Sequence, residues 1–90
     1  MSINYTKLKY DGFKSYLKIE ERLFDGFHWM FEFENGWAVS VIKHRYSYGG
    51  KDDLFESMQY KKQGFCEGEV FGDMSNNEVL KLLRITKDLR

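Results

Sequence analysis

The fold is decided over residues 27–42, Phe27-His28-Trp29-Met30-Phe31-Glu32-Phe33-Glu34-Asn35-Gly36-Trp37-Ala38-Val39-Ser40-Val41-Ile42. Phe27, Trp29, Phe31 and Phe33 alternate with His28, Met30, Glu32 and Glu34. Beyond Asn35-Gly36, Trp37, Val39 and Val41 alternate with Ala38, Ser40 and Ile42. Period-2 runs of aromatic and β-branched residues are strand signals, and Asn-Gly is a strong hairpin turn. A two-residue loop would set Trp37 and Val39 opposite Glu34 and Glu32. A three-residue loop, Glu34-Asn35-Gly36, pairs Phe33 with Trp37, Phe31 with Val39 and Trp29 with Val41. A slip of one residue sends a whole apolar set to the wrong face, so burial selects the three-residue loop with Gly36 in the left-handed region.

The C-terminus predicts a helix. Ser75-Asn76-Asn77-Glu78 is a capping box, and Met74 and Val79 flank it at the positions of a hydrophobic staple. The helix is expected from about Asn76 to Asp88. Val79, Leu80, Leu82, Leu83, Ile85 and Leu89 cover an apolar arc of roughly 220°, wider than one sheet face needs. Such a helix is wrapped on two sides or shares a flank with another chain.

Between these landmarks, Leu54 to Tyr60 reads as a further strand. A turn at Gln63-Gly64 and a short strand around Phe65 follow, and Val70-Phe71 is expected to pack just before the helix. Residues 3–24 admit two readings. Asp11-Gly12 could turn a hairpin pairing Tyr10 with Phe13 and Leu8 with Ser15; alternatively Phe13, Tyr16, Leu17, Glu20 and Phe24 form one helix face. Strands are favoured, because Leu17-Lys18-Ile19-Glu20 alternates and Gly26 offers a turn. The expected fold is α+β: an antiparallel meander of four to five strands covered by one C-terminal helix, in one domain spanning 1–90, with residues 1–16 an extension or an extra strand.

Composition bounds the function. The chain has 90 residues, 14 Lys+Arg against 14 Asp+Glu, no Pro and a single Cys. One core is all it can build. Zero net charge argues against a general nucleic-acid binder, which needs excess cation to displace counterions. Cys66 alone forms no internal disulfide. Eight Phe, six Tyr and two Trp exceed what so small a core can hold, so some rings should be exposed, where Tyr and Trp favour interfaces. No signal peptide, long apolar run or lipidation motif is found, so a cytoplasmic protein without membrane attachment is expected.

Motifs for catalysis are sparse. His28 and His44, with Glu32, make a metal site geometrically conceivable, but without spaced ligands they read as strand residues facing solvent. Cys66 beside Glu67 lacks the electropositive setting that favours a thiolate. Glu67, Glu69 and Asp73 lack the spacing of a calcium loop. No phosphate loop, nucleophile elbow or dinucleotide fingerprint occurs. A protein without enzymatic activity, metal or cofactor is expected.

Charge is more informative. Residues 1–42 carry five basic and six acidic groups, and residues 43–51 three basic and no acidic ones. Residues 52–78 carry two basic and seven acidic, and residues 79–90 four basic and one acidic. Segregated charge of this kind steers and orients partners. In Lys43-His44-Arg45-Tyr46-Ser47-Tyr48-Gly49-Gly50-Lys51, cations interleave with tyrosines. That pattern engages an acidic protein patch or a nucleic-acid strand, unless the rings pack over the sheet end and the cations are merely solvated.

Leu23-Phe24-Asp25-Gly26, the run Phe33 to His44 and Tyr46-Ser47-Tyr48-Gly49 resemble a group of small, mostly uncharacterised proteins of tailed phages and prophages. Leu54-Phe55-Glu56 and the helix start Val70, Gly72, Met74, Ser75, Glu78 and Val79 continue the pattern. The resemblance covers roughly residues 17–85, and Lys61-Lys62-Gln63 and Cys66 depart from it. It carries no catalytic residue. It implies a stoichiometric, anti-CRISPR-like inhibitor that occupies the surface of a host protein or ribonucleoprotein complex. Lys43, Arg45, Tyr46, Tyr48 and Lys51 are the expected anchors, with Asp52, Asp53, Glu67, Glu69 and Asp73 as a patch that mimics nucleic acid. The alternatives are a small nucleic-acid-binding module using residues 43–51, and a homo-oligomeric structural or ligand-binding protein joined through the C-terminal helix.

Overall fold

The computed structural model describes residues 5–62 and 68–89. Five strands, β1 Leu17–Leu23, β2 Gly26–Glu32, β3 Trp37–Lys43, β4 Phe55–Lys61 and β5 Gly68–Met74, pair in sequence order as one antiparallel sheet. The helix α1, Asn76–Lys87, follows. This is the α+β meander that the alternation and the capping box predict. The expected turn at Gln63-Gly64, the strand at Phe65, Cys66 and Glu67 lie outside the described residues.

The central register follows from burial. Trp29 pairs with Val41 and Phe31 with Val39, and all four side chains are buried. The Phe33 N–H donates to the Trp37 carbonyl at 2.9 Å, and Gly36 takes φ 88°. The loop is therefore Glu34-Asn35-Gly36, with Gly36 where a Cβ would be strained. Ser75 Oγ accepts from the Glu78 N–H, and Glu78 in turn accepts from the Ser75 N–H. Met74 and Val79 both join the core, as a staple requires.

The N-terminal quarter differs from either expectation. The Phe13 N–H donates to the Tyr10 carbonyl across Asp11-Gly12, so the turn exists. No ladder flanks it: residues 5–10 carry no regular structure, and Lys14–Tyr16 is one 3₁₀ turn. Tyr10, Phe13 and Tyr16 crowd rings into so short a span that packing on the core outweighs pairing in a two-stranded ribbon. Tyr10 meets Phe31 edge-on at 5.6 Å and Tyr16 meets Phe33 at 5.0 Å, while Leu8 and Phe13 are buried. This segment is a second cover beside α1. Lys9 bonds the Asn76 side chain through both its N–H and its carbonyl, and the Lys87 ammonium lies over the Tyr16 ring. The wide apolar arc of the helix is thus partly met within the chain, although Ile85 stays 49% exposed.

β1 begins at Leu17, as its alternation predicts, but a bulge interrupts it between Leu17 and Ile19. An extra residue reverses the facing of everything after it. Leu17 therefore sits opposite buried Phe31, whereas Ile19 sits opposite Met30 on the other face. Gly26 opens β2 instead of making the turn, which is Phe24-Asp25. A Cβ at Gly26 would overlap the Lys43 carbonyl, so only glycine fits there.

Candidate interaction surface

The β1–β2 turn and the loop after β3 meet at one end of the sheet. Phe24, Tyr46 and Tyr48 are 63%, 65% and 71% exposed there. Phe24 stands edge-on to Tyr46 at 5.0 Å and to the His44 ring at 4.9 Å. Its φ of 54° is a conformation that a bulky side chain rarely adopts. The Arg45 guanidinium stacks over Tyr46, 4.8 Å from the ring centroid, a favourable cation–π contact.

The loop is held from within. Ser47 Oγ donates to the His44 carbonyl and accepts from the His44 N–H, while Gly50 N–H bonds the Ser47 carbonyl. His44 Nδ1 accepts from the Tyr46 N–H, and Asp25 accepts from the Arg45 N–H and the Tyr5 hydroxyl. Tyr48 donates its N–H to Glu56 and lies against Gly72, where a Cβ would come within 2.8 Å of its own. Burial drives the His44 pKa down, with Glu56 and Asp25 pulling the other way. His44 is a neutral strut of the loop, not the solvent-facing strand residue its sequence position suggests.

The expected anchors separate on folding. Arg45, Tyr46, Tyr48 and Lys51 are exposed, as are Asp52 and Asp73, and Asp73 bonds the Tyr48 carbonyl through its N–H. Lys43, expected to face a partner, is 1% exposed. Strand alternation turns it to the core side, where its ammonium donates to the Thr6 carbonyl at 3.0 Å and to Asp53 at 2.9 Å and sits 3.7 Å from the centre of the Phe55 ring. Asp53, clamped by Lys43 and Thr6, is held below the usual carboxylate range by these bonds against the opposing effect of burial. Both residues tie the N-terminal segment to the sheet. Glu69 lies toward the far end of β5, beside Trp37, Gln59 and Gly68. Of the described acidic residues, Asp52, Asp53 and Asp73 thus lie at the loop and Glu69 apart from it, and Glu67 lies outside the described residues.

Sequence reading overlooked Phe24 as a contact residue. Its signal is a large apolar side chain directly before Asp25-Gly26, inside a turn. It also overlooked the bonds of His28, which lies between Glu21 and Ser40. Among the described residues, no group of three His, Cys, Asp or Glu side chains could hold a metal ion, and His28 and His44 are engaged in separate networks. No helix among them is long and apolar enough to cross a membrane. No family model matches the chain, and neither a curated protein nor a solved structure does.

Proposed function

We propose that the chain is a binding protein without enzymatic activity that inhibits a host defence or nucleic-acid-processing complex by occupying its surface. Phe24, Arg45, Tyr46 and Tyr48 are the anchors, and Lys51, Asp52 and Asp73 the polar rim. The phage-like sequence pattern supports an origin in which such inhibitors act stoichiometrically in the host cytoplasm. The observation that carries the reading is Phe24, which is 63% exposed at φ 54° and edge-on to Tyr46. Exposing a large ring forfeits burial, and holding it at positive φ costs about 1–3 kcal/mol. A turn selected for stability alone would place Gly or Asn there. Rings fixed by a bonded loop lose little freedom on docking, which favours tight contact.

Immobilised protein incubated with host lysate should retain a nuclease or another nucleic-acid enzyme, identified by mass spectrometry. Phe24→Gly and Tyr46→Ala should abolish retention, and Phe24→Gly should leave the unfolding midpoint equal or higher. Equal retention by both variants would remove this surface from the proposal. Capture of no such enzyme would count against the inhibitor reading itself. Arg45 stacked on Tyr46 also suits a nucleic-acid strand; a gel shift at low salt that Arg45→Glu eliminates would favour that reading instead.

A further inference from the structure

The face of the sheet opposite α1 and the N-terminal segment carries a second cluster. Glu21 on β1, His28 on β2 and Ser40 on β3 stand on neighbouring strands. His28 Nδ1 is 2.7 Å from Glu21 Oε2, and His28 Nε2 is 2.9 Å from Ser40 Oγ. With the imidazole neutral, the chemistry of the three groups sets the direction of both bonds. An ionised carboxylate only accepts, so Nδ1 carries the ring proton. Nε2 of the neutral imidazole is then an acceptor, and the Ser40 hydroxyl must donate to it. A serine whose proton rests on a carboxylate-oriented imidazole has the arrangement of an activated nucleophile.

The surroundings select the reagent. Ser40 is central in a row that crosses all five strands, Ile19, Met30, Ser40, Met58 and Val70. The hydroxyl is thus flanked by two thioethers, that of Met30 accepting from the Tyr60 hydroxyl at 3.1 Å, and, beyond them, by two branched aliphatic side chains, an adaptable and largely apolar lane for an acyl group. Val70 is 53% exposed at the end of that lane. The backbone of β3 is paired on both sides, with β2 and with β4. It therefore offers no pair of N–H donors to an oxyanion, and turnover by hydrolysis lacks its largest contribution.

From the Glu21–His28–Ser40 alignment within this apolar lane, we propose that Ser40 is a covalent acylation site for activated acyl donors, thioesters or aryl esters. Ser40 Oγ attacks the acyl carbonyl carbon while His28 Nε2 takes the hydroxyl proton. The bond to the leaving sulfur or oxygen breaks with its electron pair, and that atom receives the proton from His28. The products are an ester on Ser40 and a free thiol or phenol, with no change of oxidation state. Glu21 is a positioning residue that holds the ring in the required tautomer. Neither step has oxyanion donors to assist it, but a thioester or aryl ester carries a good leaving group and the alkyl ester on Ser40 does not, so the ester persists and the modification is stoichiometric. It is independent of the aromatic surface and goes beyond the binding function.

The test treats the full chain with p-nitrophenyl acetate and maps acetylated residues by peptide mass spectrometry. Ser40 should gain one acetyl group. A general base contributes about 10²-fold or more, so His28→Gln should slow Ser40 acetylation at least that much, with added imidazole restoring part of the rate to His28→Ala. Glu21→Gln should slow it less and alter the pH profile. Ser40→Ala should remove the site without changing acetylation of the lysines. Circular dichroism of each variant separates lost reactivity from lost fold. No acetyl group on Ser40 while lysines are modified, or an equal Ser40 rate in His28→Gln, would overturn the proposal.

Discussion

Asn35 shows how one side chain serves two elements. Its Oδ1 accepts from the Trp37 N–H, closing the hairpin turn. Its Nδ2 lies within hydrogen-bond distance of the Thr86 and Lys87 carbonyls, in the last turn where a helix lacks its i+4 partners, and of the Leu89 carbonyl just beyond. Asn35→Asp keeps the turn acceptor, discards every one of those donor contacts and sets a negative charge against the negative end of the helix. It should cost about 1–3 kcal/mol in urea unfolding and exceed the cost of Asn35→Ala. The reverse order would show that the turn matters and the cap does not. Lys43 makes the same point about context. Its three N–H groups face a carbonyl, a carboxylate and a ring, so burial of the charge is compensated.

Among the elements, the N-terminal segment has the largest consequence for stability. Leu8 and Phe13 are buried, and Tyr10 and Tyr16 pack on the core rings of β2 and the following turn. Each buried large apolar side chain contributes about 1.5–3 kcal/mol, against a total stability of about 5–15 kcal/mol for a domain. A chain beginning at Leu17 should therefore lack a cooperative urea transition, although it keeps all five strands and the helix. A cooperative transition near that of the full chain would show that this segment is an appendage. The β1 bulge matters at the same scale: it brings Glu20 to the core side, where Oε2 accepts from both Trp29 Nε1 at 2.9 Å and the Tyr10 hydroxyl at 3.1 Å.

Over the whole molecule, the groups that titrate below neutrality make stability fall on acidification. His44 is held below its ordinary 6.5 by burial, so the unfolded chain binds the proton more readily. Its contribution is complete above pH 6.5 and declines as the pH falls toward the depressed folded value. Against desolvation, Asp25 is lowered by the Arg45 N–H, the Tyr5 hydroxyl, its own backbone N–H and the Arg45 charge. Asp53 is lowered by its bonds to Thr6 and Lys43 over the same opposition, and Glu78 by its bonds to Ser75. Their contributions are present above the ordinary values of 3.8 for aspartate and 4.5 for glutamate and vanish below their lowered folded values. The thermal midpoint should be flat from about pH 7 to about pH 9 and fall on acidification in two stages, while Tyr5 and Tyr10, whose pKa lies above 10.0 in the fold, should lower it again at more alkaline pH. His44→Gln should flatten the upper stage alone; an unchanged profile would sink the assignment to His44.

The hairpin, its register and the capped helix were legible in the sequence. Each rests on near neighbours: alternation over seven residues, a three-residue turn, a box closed within four positions. The chain by itself also determined that sixteen rings could not all be buried, and Phe24, Tyr46 and Tyr48 are exposed. What decided the rest acts between residues far apart in sequence. Lys43 is drawn inward by Asp53 and by Thr6, thirty-seven residues away. Phe24 meets Tyr46, and Glu21 and Ser40 meet across His28, only after three strands are laid side by side. The N-terminal residues become a core cover because the sheet offers them apolar surface that local pairing could not. Periodicity specifies which face a side chain takes; the tertiary structure alone specifies what it finds there, since burial and hydrogen-bond partners belong to the assembled fold.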